Sequence, residues 1–220
     1  YHLHLVGNGV GERRFDRNAY SEASQIKRIE LGLSENHFVV GMVTRLVREK
    51  GCIDFFAAAS IICQRYEDVR FLLVGIPENT DQKDAVDAVR LSKEYGIEDK
   101  CVLLENRMDM PELYLAMDLC VLPSYREGLP RCLIEAAIMG VPTVATRIRG
   151  CKEVVVDGET GLLYSPGNIN EFVKAIERLK NDDVFRKSAS ERGISRAKDN
   201  FTEAQVTERV AKLYRSFLPE

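Results

Sequence analysis

"LCVLPSYREGLPRCLIEAAIMGVPTVAT", residues 119–146, reads as strand, loop, helix and strand in succession. Leu119 to Leu122 is an apolar run of strand length, and a charged loop follows it. Pro130 suits the first helical position, Gly140 suits a helix end, and "VPTVAT" resumes the apolar run. Two strands joined by a helix are read as a parallel pair with a right-handed crossover. The same alternation repeats outward from this stretch. "HFVVGMVT", "VRFLLVG", "CVLL" and "GLLY" are continuous apolar runs, the pattern of strands covered on both faces. Residues 51–65 set Ile53, Phe56, Ala57 and Ile61 at helical spacing. Residues 81–95 are polar with a sparse stripe (Val86, Val89), which suggests a solvent-facing helix, and Asp109 with Pro111 and Glu112 opens another. The expected fold is α/β: a doubly wound, Rossmann-like parallel sheet with helices on both faces.

The last third adds helices. Asn168 with Glu171, and Thr202 with Gln205, resemble capping boxes. They predict helices over 169–180 and 203–217, with a third between them from 183. The final helix carries the stripe Val206, Val210, Leu213, Tyr214 and Phe217. That stripe either packs on its own domain or lies partly against a domain outside these residues.

Composition narrows the function classes. A chain of 220 residues, 45% hydrophobic and 30% charged, is ordinary globular material, and no apolar run approaches a membrane span. With 31 basic and 34 acidic residues the net charge is −3, so nothing draws the whole chain to nucleic acid or anionic lipid. Cys52, Cys63, Cys101, Cys120, Cys132 and Cys151 form no C-x-x-C pair, and several lie in apolar runs. They read as buried reduced thiols of a cytoplasmic protein. Histidines occur only at positions 2, 4 and 37, which leaves little for a zinc site or a His-based triad; no metal is expected. The chain lacks an initiator Met and starts within the strand-like "YHLHLVGNG", so it reads as part of something longer.

Ligands of open parallel sheets bind beyond the carboxyl ends of the strands. Three loops there carry unusual chemistry. In "TRLVREKG", Arg45 and Lys50 flank a short loop that enters a helix start, where free N–H groups and the helix dipole favour an anion. A planar fork beside a point charge suits two linked phosphates, although on local sequence alone two solvated cations are the simpler reading of the loop. It is neither a P-loop nor a G-x-G-x-x-G fingerprint, and "GNGVG" near the start is only a glycine-rich turn. In the second loop Glu127 precedes Gly128, which permits close approach of backbone to ligand, and the N–H groups of residues 128–131 form another anion-friendly helix start. Glu135 falls in the second turn among Leu133, Ile134 and Ala136, where a carboxylate is partly desolvated without a partner. Vicinal sugar hydroxyls would be such partners; an exposed glutamate of high helix propensity is the alternative. The third loop, "TRIRGCKEVVVDGETG", carries turn chemistry at Asp157, Gly158 and Gly161 that a structural turn explains.

"RLVREKG", "PSYREGLPRCLIEAAIMGVPTVAT", "GCKEVVVDGETGLL" and "FTEAQVTERVAKLY" occur in this order over nearly the whole chain. Together they resemble the C-terminal, donor-binding domain of the family-4 retaining glycosyltransferases of the GT-B fold. The resemblance implies that residues 1–220 are a nucleotide-sugar donor-binding domain, with an N-terminal acceptor domain lying outside them. The E-x7-E signature of that family is met by Glu127 and Glu135. By this resemblance Glu127, Gly128, Leu129 and Pro130 hold the transferred sugar and approach its phosphate. Glu135 binds the ribose hydroxyls, Arg45 and Lys50 hold the diphosphate, and Arg107 and Met108 lie near the base. Two departures stand out: Gly11 where the family's N-G-[IV]-D pattern has Asp, and Thr44 where a Gly often precedes the Arg.

The implied activity is retaining transfer of a hexose-type sugar to a glycan or lipid-linked acceptor, by front-side attack assisted by the donor phosphate. No cofactor is implied, and a UDP-sugar is slightly favoured. The acceptor would be met through the missing domain, and a cytoplasmic protein would work peripherally at the inner membrane face. This fragment alone would bind donor without efficient transfer. A nucleotide-sugar epimerase of the same fold and a non-catalytic nucleotide-sugar-binding module are the rival readings.

Overall fold

The computed structural model describes residues 7–20, 23–76 and 84–217. Each of the six apolar runs forms one strand: β1 (Phe38–Val43), β2 (Val69–Ile76), β3 (Cys101–Glu105), β4 (Leu119–Leu122), β5 (Thr143–Thr146) and β6 (Gly161–Tyr164). They make a single parallel sheet in the order β3-β2-β1-β4-β5-β6. The order reverses between β1 and β4, which leaves a crevice beyond the carboxyl ends of those two strands. The continuous apolar runs are explained by burial on both faces, since every residue of β4, β5 and β6 is buried.

Two apolar layers cover the sheet. On one face Val40, Met42 and Leu73 pack with α2 (Cys52–Arg65), α3 (Ala88–Glu94) and α7 (Ile169–Asn181). On the other, Val39, Leu72 and Cys120 pack with α4 (Met110–Leu115), α5 (Arg131–Ile138), α6 (Arg149–Val154) and α8 (Asp183–Asn200). Helix α1 (Ala23–Glu30) rests on α4, where the hydroxyl of Ser24 donates to the Leu115 carbonyl at 2.7 Å. Asn168 and Thr202 accept from the backbone N–H groups of Glu171 and Gln205, so both expected caps form and start α7 and α9 (Glu203–Arg215).

Several local expectations are corrected. The buried face of α2 is Cys52, Phe55, Phe56, Ala58, Ala59 and Ile62, whereas Ile53 is exposed and Ala57 and Ile61 are half-buried. The helix expected over 81–95 is α3 alone. Residues 81–83 lie outside the described residues, Val86 precedes the helix in a bridged segment, and Ala88, Leu91 and Ser92 rather than Val89 face inward. Asp109 flanks α4 without capping it, because its carboxylate is taken by Arg107 and Lys27. Pro130 is the residue before α5 rather than its first. The third loop forms its expected turn at residues 157–161, where Gly158 has φ of +76° and donates to the Gly161 carbonyl at 2.9 Å, but α6 precedes that turn. The stripe divides: Val206, Val210 and Leu213 are half-buried against this domain, whereas Tyr214 and, beyond the helix end, Phe217 are exposed.

Candidate functional site

The crevice at the switch point is built by the loops after β1 and β4, and these loops are fastened to each other. The β1 loop runs through a 3-10 turn (Arg48–Lys50) into Gly51, whose φ of +71° closes the turn and starts α2. A Cβ on Gly51 would stand 2.0 Å from the Pro123 carbonyl oxygen, so glycine here permits β4's exit to pass against the start of α2. Across the same seam the Tyr125 N–H donates to the Glu49 carbonyl at 2.9 Å, and the Tyr125 hydroxyl donates to Asp54 at 2.6 Å.

This seam brings two of the expected site residues together. Lys50 Nζ donates to Glu127 Oε1 at 2.7 Å, with only 13% of either side chain exposed. The Ser124 hydroxyl donates to the same oxygen at 2.7 Å, and Thr146 at the end of β5 holds the Ser124 carbonyl from below. Among the described residues the other oxygen, Oε2, has no hydrogen-bond partner. Lys50 likewise spends one of its three donors here and keeps two. Arg45 stands exposed two residues beyond β1 and makes no ion pair among the described residues.

Gly128 is exposed, and a Cβ there would meet no atom within 4 Å, so the protein itself does not require glycine at this point. Leu129 is tied to the N-terminal turn, where Asn8 donates to its carbonyl at 3.2 Å. Pro130 is buried and leads into α5, whose start has no side-chain cap and no acid in its first turn. The N–H groups there remain available to an anion. Gly140, with φ of +75°, terminates the helix as read from the sequence.

Glu135 is not the unpartnered carboxylate that its neighbours suggested. The hydroxyl of Tyr114, on α4, donates to Glu135 Oε2 at 3.0 Å. Arg131 Nε lies 3.6 Å from Oε1, beyond hydrogen-bond distance. Burial raises the Glu135 carboxyl above its ordinary value, against the pull of Tyr114, Arg131 and Arg14. Cys132 sits near both acids. Burial first, then the charges of Cys120, Glu127 and Glu135, hold its thiol well above the usual range. Both carboxylates therefore act on one side chain in the first turn of α5.

Arg107 and Met108 follow β3. Arg107 forks onto Asp109 at 2.8 and 2.6 Å and reaches Glu30 at 3.2 Å, so its guanidinium is committed to the junction of α1 and α4. Met108 is exposed, and its carbonyl accepts from Arg14 at 3.0 Å. Sequence reading missed Tyr114, Ser124, Arg14 and Gly150. None of the four carried a signal in the sequence; for Gly150 the reason is visible only in the fold, where a Cβ would meet the carbonyl oxygens of Glu127 and Gly128 at 2.5 Å.

The family profile described as "Glycosyl transferases group 1" matches residues 23–196. The chain belongs to that family. Among its glycosyltransferase relatives, the capsular polysaccharide biosynthesis glycosyltransferase CapM of Staphylococcus aureus is 30% identical over 188 residues, covering 86% of this chain and 48% of CapM. The crystal structure of HepE from Anabaena in complex with UDP-glucose superposes with a TM-score of 0.82 at 28% identity, covering 92% of this chain and 56% of HepE. Sucrose-phosphate synthase from Thermosynechococcus elongatus gives a TM-score of 0.83 at 26% identity, over 96% of this chain and 51% of the synthase. The chain spans about half the length of the curated relatives it matches. No helix among the described residues is long and apolar enough to cross a membrane.

Proposed function

We propose that residues 1–220 are the C-terminal, nucleotide-sugar donor-binding domain of a family-4 retaining GT-B glycosyltransferase. The full protein transfers a hexose-type sugar to a glycan or lipid-linked acceptor that is met through a further domain. The observation that carries this reading is the contact of Lys50 with Glu127 across the switch point, with Glu135 one helical stretch away. A uridine diphosphate sugar is the favoured donor, supported by the UDP-glucose complex of HepE, and no cofactor is assigned.

The roles follow from the free valences. Glu127, held through Oε1, offers Oε2 to a sugar hydroxyl. The two remaining donors of Lys50, with Arg45 and the uncapped start of α5, hold the diphosphate. Glu135 accepts from the ribose hydroxyls. In the reaction the bond from the anomeric carbon to the phosphate oxygen breaks, and the acceptor oxygen attacks from the same face. The acceptor proton passes to the departing phosphate oxygen. Cations preorganised around the phosphate stabilise the charge that develops there, work that a metal performs in other transferases.

Calorimetric titration with UDP, ADP and GDP tests the site. Tight binding of one of them should weaken by about 10- to 100-fold in Lys50→Ala and in Glu135→Ala, the loss of one charged hydrogen bond. Unchanged affinity in folded variants contradicts the assignment.

A further inference from the structure

We propose that Tyr114 is a positioning residue for Glu135 and thereby sets the preference of this site for ribose over 2′-deoxyribose. The inference rests on the donor-site reading above. Tyr114 is wholly buried in the last turn of α4, and its ring packs at 6.3 Å against the buried ring of Phe15. A phenol placed so deep needs a partner for its hydroxyl, and its partner is Glu135 Oε2 at 3.0 Å. No other hydrogen bond to the Glu135 carboxylate reaches 3.5 Å or less among the described residues.

The consequence is geometric. A glutamate on a helix has three side-chain torsions, and a carboxylate must present a defined edge to accept from two vicinal hydroxyls at once. Anchoring Oε2 from beneath restricts the torsions of the group and leaves Oε1, with only the exposed Arg131 at 3.6 Å, for the ligand. Glu127 is treated alike, with Oε1 pinned by Lys50 and Ser124 and Oε2 left open. The two acids are thus each tethered by one oxygen, one through a cation and a hydroxyl, the other through a buried phenol. Arg131 and Arg14 are the charged groups near Glu135, and both are exposed, so neither restrains it as a buried donor does.

Tyr114→Phe removes one oxygen and keeps the ring. The 220-residue chain is titrated with whichever of UDP, ADP and GDP binds most tightly and with its 2′-deoxy counterpart. The parent should prefer the ribonucleotide by about 10-fold or more, and Tyr114→Phe should lose most of that ratio while melting cooperatively. In a Glu135→Gln background the ratio should already be low, and adding Tyr114→Phe should leave it unchanged. A parent that discriminates and a folded Tyr114→Phe that discriminates equally overturn the role of Tyr114 and leave the donor site standing. A parent without nucleotide binding or without ribose preference overturns the donor reading instead. If Tyr114→Phe does not fold, 3-fluorotyrosine at position 114 keeps the ring and alters the donor strength. A ratio unmoved by that replacement contradicts the proposal.

Discussion

Glu135 concentrates the proposed chemistry of this chain at the scale of one residue. Ionised, it only accepts; protonated, it must donate, and the match to two hydroxyls is lost. Burial favours the neutral form, while Tyr114 from α4, Arg131 from its own helix and Arg14 from the N-terminal segment favour the charged one. The net shift is upward, so on acidification Glu135 takes its proton at higher pH than an exposed glutamate, whose value is about 4.3. Nucleotide affinity should therefore fall with decreasing pH before that point, and the gap between the parent and Glu135→Gln should close there. Titrations of both proteins across pH 4–7 check this; a gap constant to pH 4 contradicts it. The sequence marked this carboxylate as a candidate by its eight-residue spacing to Glu127 and its apolar neighbours. Its tether was not marked, because Tyr114 lies 21 positions away and meets it only through the packing of α4 on α5.

Elements explain which glycines matter. A Cβ at Gly150 collides with two backbone oxygens of the β4 loop, which cannot swing aside as a side chain can. Gly150→Ala should cost about 1–3 kcal/mol and displace Glu127, so it should weaken both thermal stability and nucleotide-sugar binding. Gly128→Ala meets open space and should melt within about 0.5 kcal/mol of the parent while weakening the sugar nucleotide. Melting curves and titrations separate the two; equal stabilities would refute the contrast. At the α1–α4 junction, Arg107 first and then Lys27 hold the Asp109 carboxyl well below the usual range. That contribution is present above the unfolded value of about 3.9 and is lost as pH falls through the lowered folded one. Asp109→Asn should be less stable than the parent at neutral pH, and the difference should shrink below about pH 4 in denaturant titrations. Helix α6 escaped sequence reading because six residues are too few to show a period, and it is flanked by the β-branched Ile148 and Val155 with Gly150 inside it. The buried face of α2 was misplaced because apolar residues surround nearly the whole helix, so periodicity could not orient it.

For the whole molecule, the parallel class was legible because strands covered on both faces are predominantly apolar, as β1, β4 and β6 are; edge strand β3 is half-buried and ends on the exposed Glu105. The strand order was not, since pairing partners leave no trace in a single sequence. Order is what creates the crevice: only with β1 beside β4 do Lys50 and Glu127 meet, 77 positions apart. A second space of about 550 Å³ opens at the opposite edge, between Arg17, Arg28, Asp118 and Lys187. Arg28 there is already bound by Asp118 and the carbonyls of Ala116 and His37. The crevice and this groove offer competing locations for a nucleotide.

A crystal structure of the chain with a uridine diphosphate sugar decides between them. The sugar should lie against Glu127 and Gly128, the diphosphate over Lys50 and the start of α5, and the ribose on Glu135. A nucleotide sugar seated in the groove beside Arg28, with the crevice empty, would contradict the account.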